Sequence, residues 1–202
     1  MPTSLIRNIW AVGRNYADHA AEMKVEIPKS PMIFLKAGST VVEGLNIRLP
    51  QWSKEVHYEL EIAYRIDDSL SFGHLTLALD LTARDAQSEA KAKGSPWTLA
   101  KSFSGSCPLA KWISIDQGLT ETKLHFELKK NEQVVQRGNS QDMIFKPHQL
   151  LEFVKKHFPV VAGDVLLTGT PAGVGALSTG DKLQATLRSD SKTLLTCLWN
   201  VE

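Results

Sequence analysis

This chain is short of most features that would take it out of the ordinary globular class. It has two cysteines, Cys107 and Cys197, which make neither a metal-type spacing nor a disulfide framework. Residues 1–7 hold no secretory h-region, and no apolar run reaches the roughly 20 residues of a membrane span. A soluble protein of a reduced, cytoplasmic compartment is therefore expected. Charge of one sign is lacking too: 23 Lys and Arg stand against 22 Asp and Glu, interspersed, for a net +1. That balance leaves no nucleic-acid or membrane footprint. No repeat or low-complexity linker divides the 202 residues, which are expected to form a single domain with a substantial core. Small molecules and a second copy of the chain remain as partners.

What is present is mostly strand. Residues 5–12, 32–36, 40–42, 46–49, 56–66 and 75–81 read as strands, as do segments near 165–168, 182–187 and 194–199. Residues 122–129 and 133–137 alternate around Asn131-Glu132, a hairpin without the favoured Asn-Gly turn. Short helices are predicted over 16–23, over 84–93 before Gly94 and Pro96, and from Pro147 to the stop at Pro159. With no regular βαβ alternation, the pattern predicts a strand-rich α+β fold, a mixed β-sandwich or β-roll with peripheral helices.

Glu59 and Glu61 stand two apart in the apolar run 56–64, so both project from one face while Leu60 and Ile62 face the other. Asp80 follows in a second apolar stretch. Converging at ~5 Å, three such charges would repel by roughly 3 kcal/mol per pair at an effective dielectric of about 20. Protons or a divalent cation must answer that, and an oxygen-only donor set suits Mg²⁺, Mn²⁺ or Ca²⁺ rather than zinc. A solvated strand face is the bland alternative. His57 shares that face and reads as packed nearby more readily than as a ligand.

Other polar groups carry two readings each. Arg84 and Gln87, at i and i+3, can face one way on a helix. Arg84 can pair Asp80, grip a substrate carboxylate, or simply bridge to Asp85 or Glu89 on the surface. His19 and Glu22 share a helical spacing that lets the carboxylate orient the imidazole as a base, or they form a surface pair. Arg14 adds charge to the same corner. The loop Thr168-Gly169-Thr170-Pro171-Ala172-Gly173 lets backbone approach a ligand, or merely turns. Lys101 sits between apolar residues, where a snorkelling lysine would be unremarked.

Together these stretches resemble the fumarylacetoacetate hydrolase family, in its acylpyruvate hydrolase / oxaloacetate decarboxylase branch. The matching runs are Gly13-Arg14-Asn15-Tyr16-Ala17-Asp18-His19, Glu59-Leu60-Glu61, Leu79-Asp80-Leu81-Thr82-Ala83-Arg84-Asp85, Trp97-Thr98-Leu99-Ala100-Lys101-Ser102-Phe103 and Leu167-Thr168-Gly169-Thr170-Pro171-Ala172-Gly173-Val174-Gly175, in the family's order. The resemblance implies a mixed β-roll, usually a homodimer. It implies Glu59, Glu61 and Asp80 as Mg²⁺ ligands (Mn²⁺ or Ca²⁺ being alternatives) and His19 with Glu22 as a water-activating dyad. It places Arg14, Arg84, Gln87 and Thr170 around the substrate and Lys101 among the catalytic groups. One departure is the connection between Glu61 and Asp80, whose 18 residues are fewer than that pattern carries, with 65–73 abbreviated.

The activity expected first is hydrolysis of a carbon–carbon bond in a short acylpyruvate-type 1,3-diketo acid, with pyruvate released as its enolate. The same site would serve decarboxylation of oxaloacetate, tautomerisation of a 2-oxo acid, or isomerisation of a hydroxymuconate-type acid. A non-catalytic oxo-acid or metal binder is the alternative from another class, and it gives His19 and Glu22 no task.

Overall fold

A computed structural model describes residues 6–22, 28–115, 123–190 and 192–202. In its first half the strands are β1 (Asn8–Gly13), β2 (Met32–Ala37), β3 (Val41–Glu43), β4 (Asn46–Ile47), β5 (Val56–Tyr58), β6 (Leu60–Ile66), β7 (Phe72–Leu79) and β8 (Thr82–Ala83). The second half adds β9 (Cys107–Leu109), β10 (Ile113–Ser114), β11 (Leu124–Lys130), β12 (Gln133–Asn139), β13 (Val165–Leu167), β14 (Gly175–Ala176), β15 (Lys182–Ser189) and β16 (Lys192–Val201). Four short helices accompany them among the described residues: α1 (Ala17–Glu22), α2 (Arg84–Lys93), α3 (Thr98–Lys101) and α4 (Pro147–His157).

The strands form an eight-stranded sheet in the order β2-β1-β13-β6-β7-β9-β3 with β10 beside β7, a five-stranded sheet β12-β11-β15-β16-β4, and a small sheet β14-β5-β8. Parallel pairs (β1 with β13, β3 with β9, β16 with β4) occur among antiparallel ones, so the sheets are mixed. The strand-rich α+β expectation is met.

Strand β6 lies at the middle of the large sheet and is buried along nearly its whole length. Leu60, Ile62, Tyr64 and Ile66 point into the larger core, which also takes Leu75, Leu77 and Leu79 from β7. Ala63 and Ala78 point into a smaller cluster with Ile9, Ala11 and Leu167. Period-2 alternation therefore puts Glu59, Glu61 and Asp80 on the face of the smaller cluster. The short connection between Glu61 and Asp80 proves to be a tight hairpin: Ile66 pairs with Phe72 and Leu60 with Leu79. Asp67 closes it by accepting hydrogen bonds from the backbone N–H of Ser69 and Ser71.

Several boundaries differ from the sequence reading. The single strand over 56–66 is two, interrupted at Glu59, because β5 leaves the large sheet to pair with β8 and β14. The predicted 40–42 strand opens with a 3₁₀ turn, Gly38–Thr40. Helix α4 stops at His157, since Phe158 precedes Pro159 and takes an extended backbone. Leu5, Met23 and Thr122, at the ends of predicted elements, lie outside the described residues.

Candidate active site

The hairpin register assembles the carboxylates. Because Leu60 faces Leu79, Glu59 falls opposite Asp80, and the Asp80 N–H donates to the Glu59 carbonyl at 2.9 Å. Glu61 follows two residues on, opposite Ala78. One carboxylate oxygen from each of the three lies within 4.8 Å of the others. All three are buried, at 6 % (Glu59), 1 % (Glu61) and 1 % (Asp80) exposure, so the solvated-face reading does not hold.

Cations answer two of the three charges. The Lys101 ammonium, at the end of α3, donates to Glu59 Oε2 at 2.9 Å, to Asp80 Oδ2 at 2.5 Å and to Thr82 Oγ1 at 2.6 Å. It is buried and ion-paired, not snorkelling. Arg84, the first residue of α2, reaches Glu59 Oε1 at 2.6 Å with Nη2 and Gln87 Oε1 at 2.7 Å with Nη1. It pairs with neither Asp80 nor Asp85 nor Glu89. Lys36 of β2, with no exposed surface, donates to Asp80 Oδ1 at 2.7 Å and also to the Lys101 carbonyl. Sequence reasoning passed over Lys36 as the end of an apolar strand. The signal was the lysine itself, since a charge buried with such neighbours must find a partner.

Glu61 has no ion-pair partner among the described residues. Its carboxylate accepts the Gly169 N–H at 2.6 Å. Burial, then the Asp80 and Glu59 charges, push its pKa well above the usual carboxylate value, against the pull of Lys101 and of the Gly169 N–H. Glu59 goes the other way. Burial opposes its ionisation, but Lys101 and Arg84 outweigh that and hold it well below the usual range. Burial likewise disfavours the charged Lys101, yet Asp80 and Glu59 overcome it and raise its pKa.

The loop after β13 supplies the opposite wall. Gly169 has φ +90°, and a Cβ there would meet the Asn15 Cβ at 2.7 Å. Asn15 fixes that approach by donating to the Thr168 and Phe145 carbonyls at 2.8 and 2.9 Å. Thr170 Oγ1 donates to the Leu60 carbonyl at 2.9 Å and accepts from Gln136 Nε2 at 2.8 Å. Gln136, buried and unremarked in the sequence, also receives the Leu60 N–H at 2.9 Å and so ties β12 to β6.

His19 and Glu22 sit on α1 with Nδ1 and Oε2 3.2 Å apart, and Glu22 also accepts the Gly173 N–H. His19 is buried and lines one small cavity, about 40 Å³, with Arg14, Glu59, Glu61, Asp80, Arg84, Gln87, Lys101 and Thr170. Every predicted site residue except Glu22 therefore lines the same cavity, and Glu22 touches it through His19. Lys91, which the sequence reading left aside, lines it as well, as does Trp97 of the run ending at Phe103. His57 is not brought there: its Nε2 lies 2.8 Å from Glu55 Oε1.

The residues fit a divalent cation. The donor set is oxygen-only, and Glu61 is a buried carboxylate lacking the neutralising partner its neighbours have. Three carboxylates against Lys36, Lys101 and Arg84 make the site formally neutral, so a divalent cation would leave it positive.

Known proteins resemble this chain over nearly its whole length. The pattern of the fumarylacetoacetate (FAA) hydrolase C-terminal domain matches residues 8–198. The mitochondrial oxaloacetate tautomerase of Caenorhabditis elegans is 41 % identical over 192 residues, covering 90 % of this chain and 90 % of that protein. A structure of the fumarylacetoacetate isomerase/hydrolase type from Oleispira antarctica superposes with a TM-score of 0.94 at 40 % identity, covering 98 % of this chain and 94 % of the other. Fumarylpyruvate hydrolase from Pseudomonas aeruginosa, solved with Mn²⁺ and pyruvate, gives a TM-score of 0.89 at 26 % identity, covering 97 % and 89 %.

Proposed function

The chain belongs to the fumarylacetoacetate hydrolase family, and from that premise we propose that it interconverts the keto and enol forms of a short 2-oxo acid of the oxaloacetate type. The observation that carries this reading is the joining of three groups in one cavity. They are the buried carboxylate set of Glu59, Glu61 and Asp80, the ammonium of Lys101, and a histidine whose second ring nitrogen Glu22 leaves available. The C. elegans relative bears the name of that reaction.

A divalent cation held by the three carboxylates, Mg²⁺ or Mn²⁺, would supply Lewis-acid polarisation of the 2-oxo group when bound. The remaining work falls to side chains. His19 takes a proton from C3 of the keto acid, the C–H electron pair becomes the C2=C3 double bond, and the π pair of the C2 carbonyl moves onto its oxygen. Glu22 holds the ring in orientation through its contact with Nδ1. Lys101 stabilises the negative oxygen, and Thr170, Arg84, Gln87 and Arg14 orient the acid. Proton return to oxygen gives the enol, and the reverse sequence gives the keto form.

Carbon–carbon hydrolysis of an acylpyruvate is the second reading. The His19–Glu22 contact supports it, because an oriented base can deprotonate water, as does likeness to a fumarylpyruvate hydrolase. One assay series separates the two. Loss of enol-oxaloacetate absorbance should accelerate with Mg²⁺ and protein, stop with EDTA, and fall about 10²- to 10⁴-fold in His19→Ala. Pyruvate release from a panel of acylpyruvates, without any effect on the oxaloacetate enol, would replace the first reading by the second.

The proposal includes a homodimer in a reduced, cytoplasmic compartment. Leu45 and Leu198, 58 % and 55 % exposed, border an apolar depression with Trp112, and both cysteines are free. Leu198→Glu should then yield monomer by light scattering.

A further inference from the structure

We infer that Lys91, with Arg14, forms a subsite for a second, distal carboxylate and selects 2-oxo dicarboxylic acids over their monocarboxylic counterparts. The inference rests on the reading above for the near end of the substrate and adds a residue and a specificity to it. Helix α2 carries Arg84, Gln87 and Lys91 at i, i+3 and i+7, which is one helical face, and all three line the cavity. The opposite face is self-contained: Lys93 pairs with Glu89 at 2.5 Å. Lys91 has no such partner among the described residues. Its ammonium lies 5.5 Å from the centre of the Trp97 ring, a contact that places the charge over the cavity wall without neutralising it.

Arg14 is unpaired in the same sense, whereas Arg84 and Lys101 are committed to Glu59 and Asp80. Its backbone adopts φ +61°, a left-handed conformation that a non-glycine residue holds only where its surroundings require it. The ammonium of Lys91 feels burial first and then the like charges of Arg84 and Arg14, which outweigh the more distant pull of Glu59 and lower its pKa. Lys91 and Arg14 thus line one cavity and repel each other, and neither has an ion-pair partner among the described residues. Of the carboxylates in the cavity, Glu59 and Asp80 already have cations, and Glu61 accepts the Gly169 N–H. An arriving anion is the group that relieves this arrangement, and a 2-oxo acid bound by its near end would reach it with a carboxylate at its far end.

Binding separates this inference from the reaction. Malate and lactate both carry a 2-hydroxy acid end, and only malate has a second carboxylate. With Mg²⁺ present, calorimetry should show that the wild type binds malate more tightly than lactate. Lys91→Gln should weaken malate about tenfold, leave lactate within about twofold, and keep the melting temperature, because the side chain is exposed and makes no ion pair among the described residues. Lys91→Arg should restore most of the malate affinity. Equal losses for both acids, no loss for malate, or a wild type indifferent between them would overturn the subsite. Oxaloacetate turnover is scored separately: a malate preference lost in Lys91→Gln, in a protein that never tautomerises oxaloacetate, upholds the subsite and refutes the reaction.

Discussion

Glu61 gathers what is unusual at the residue scale: it is a buried carboxylate between two others, with one backbone N–H for company. Its pKa in the folded chain stands above the ordinary 4.5, so the stability it contributes is fully present below that value and is lost as pH rises through the raised pKa. Glu59, shifted downward, contributes stability above about 4.5 that is lost only in acid, and it is constant over the window that Glu61 controls. In EDTA, the melting temperature should therefore fall as pH rises from 5 to 9, and Glu61→Gln should flatten that slope. Mg²⁺ should reverse the slope in the wild type, with a proton released on uptake wherever Glu61 is protonated. Titration in two buffers of different ionisation enthalpy reads that proton directly. A slope unchanged in Glu61→Gln would remove Glu61 from the account. Gly169, which presents its N–H to that carboxylate, tolerates no side chain: Gly169→Ala should cost about 2–4 kcal/mol from backbone strain and overpacking, read by chemical denaturation.

Elements differ in how legibly the sequence announces them. Helix α2 is readable from Arg84 to Lys93 because Gly94, at φ +66°, takes the left-handed cap that ends it. The Glu59–Glu61 face is readable from alternation alone. The break of the strand at Glu59 is not, because it arises from the pairing of β5 with β8, a partner far along the chain. Lys36 and Gln136 share that difficulty: their tasks exist only once β2 and β12 are placed beside the carboxylate hairpin. Lys91 was hidden differently, since alternate charges at 89, 91 and 93 look like a solvated helix face until the cavity shows which side is inward. The β11–β12 turn offers a test at this scale. Asn131 and Glu132 both have positive φ, 49° and 69°, as a type I′ turn demands, and glutamate is poorly suited to it. Glu132→Gly should stabilise the protein by about 1 kcal/mol, raising the melting temperature about 2–4 °C with no change in oxaloacetate turnover. A neutral or lower melting temperature would mean that Glu132 makes up its strain in the folded chain.

Across the whole molecule, the candidate site is also a junction. Lys36 comes from β2 at the edge of the large sheet, Asp80 from the end of β7 near its middle, and Lys101 from α3, and one ammonium binds the other two. Removing it acts on fold and on site with opposite signs. Lys36→Met keeps the volume and leaves Asp80 Oδ1 buried without its partner, which should destabilise the cation-free protein by about 3–5 kcal/mol. For a chain of this size that is a fall of about 10 °C in melting temperature. The same change takes one positive charge from the carboxylate cluster, where Lys36, Lys101 and Arg84 stand against Glu59, Glu61 and Asp80. A divalent cation then meets one positive charge fewer beside the three carboxylates, and its affinity should rise. Saturating Mg²⁺ at ~100 times the wild-type dissociation constant stabilises the wild type by about 2.7 kcal/mol, and the same concentration should add more than that to Lys36→Met. Thermal melts of both proteins with EDTA and with Mg²⁺ decide the matter. A lysine that merely filled space would lower both melting temperatures alike and leave the Mg²⁺ increment as it was.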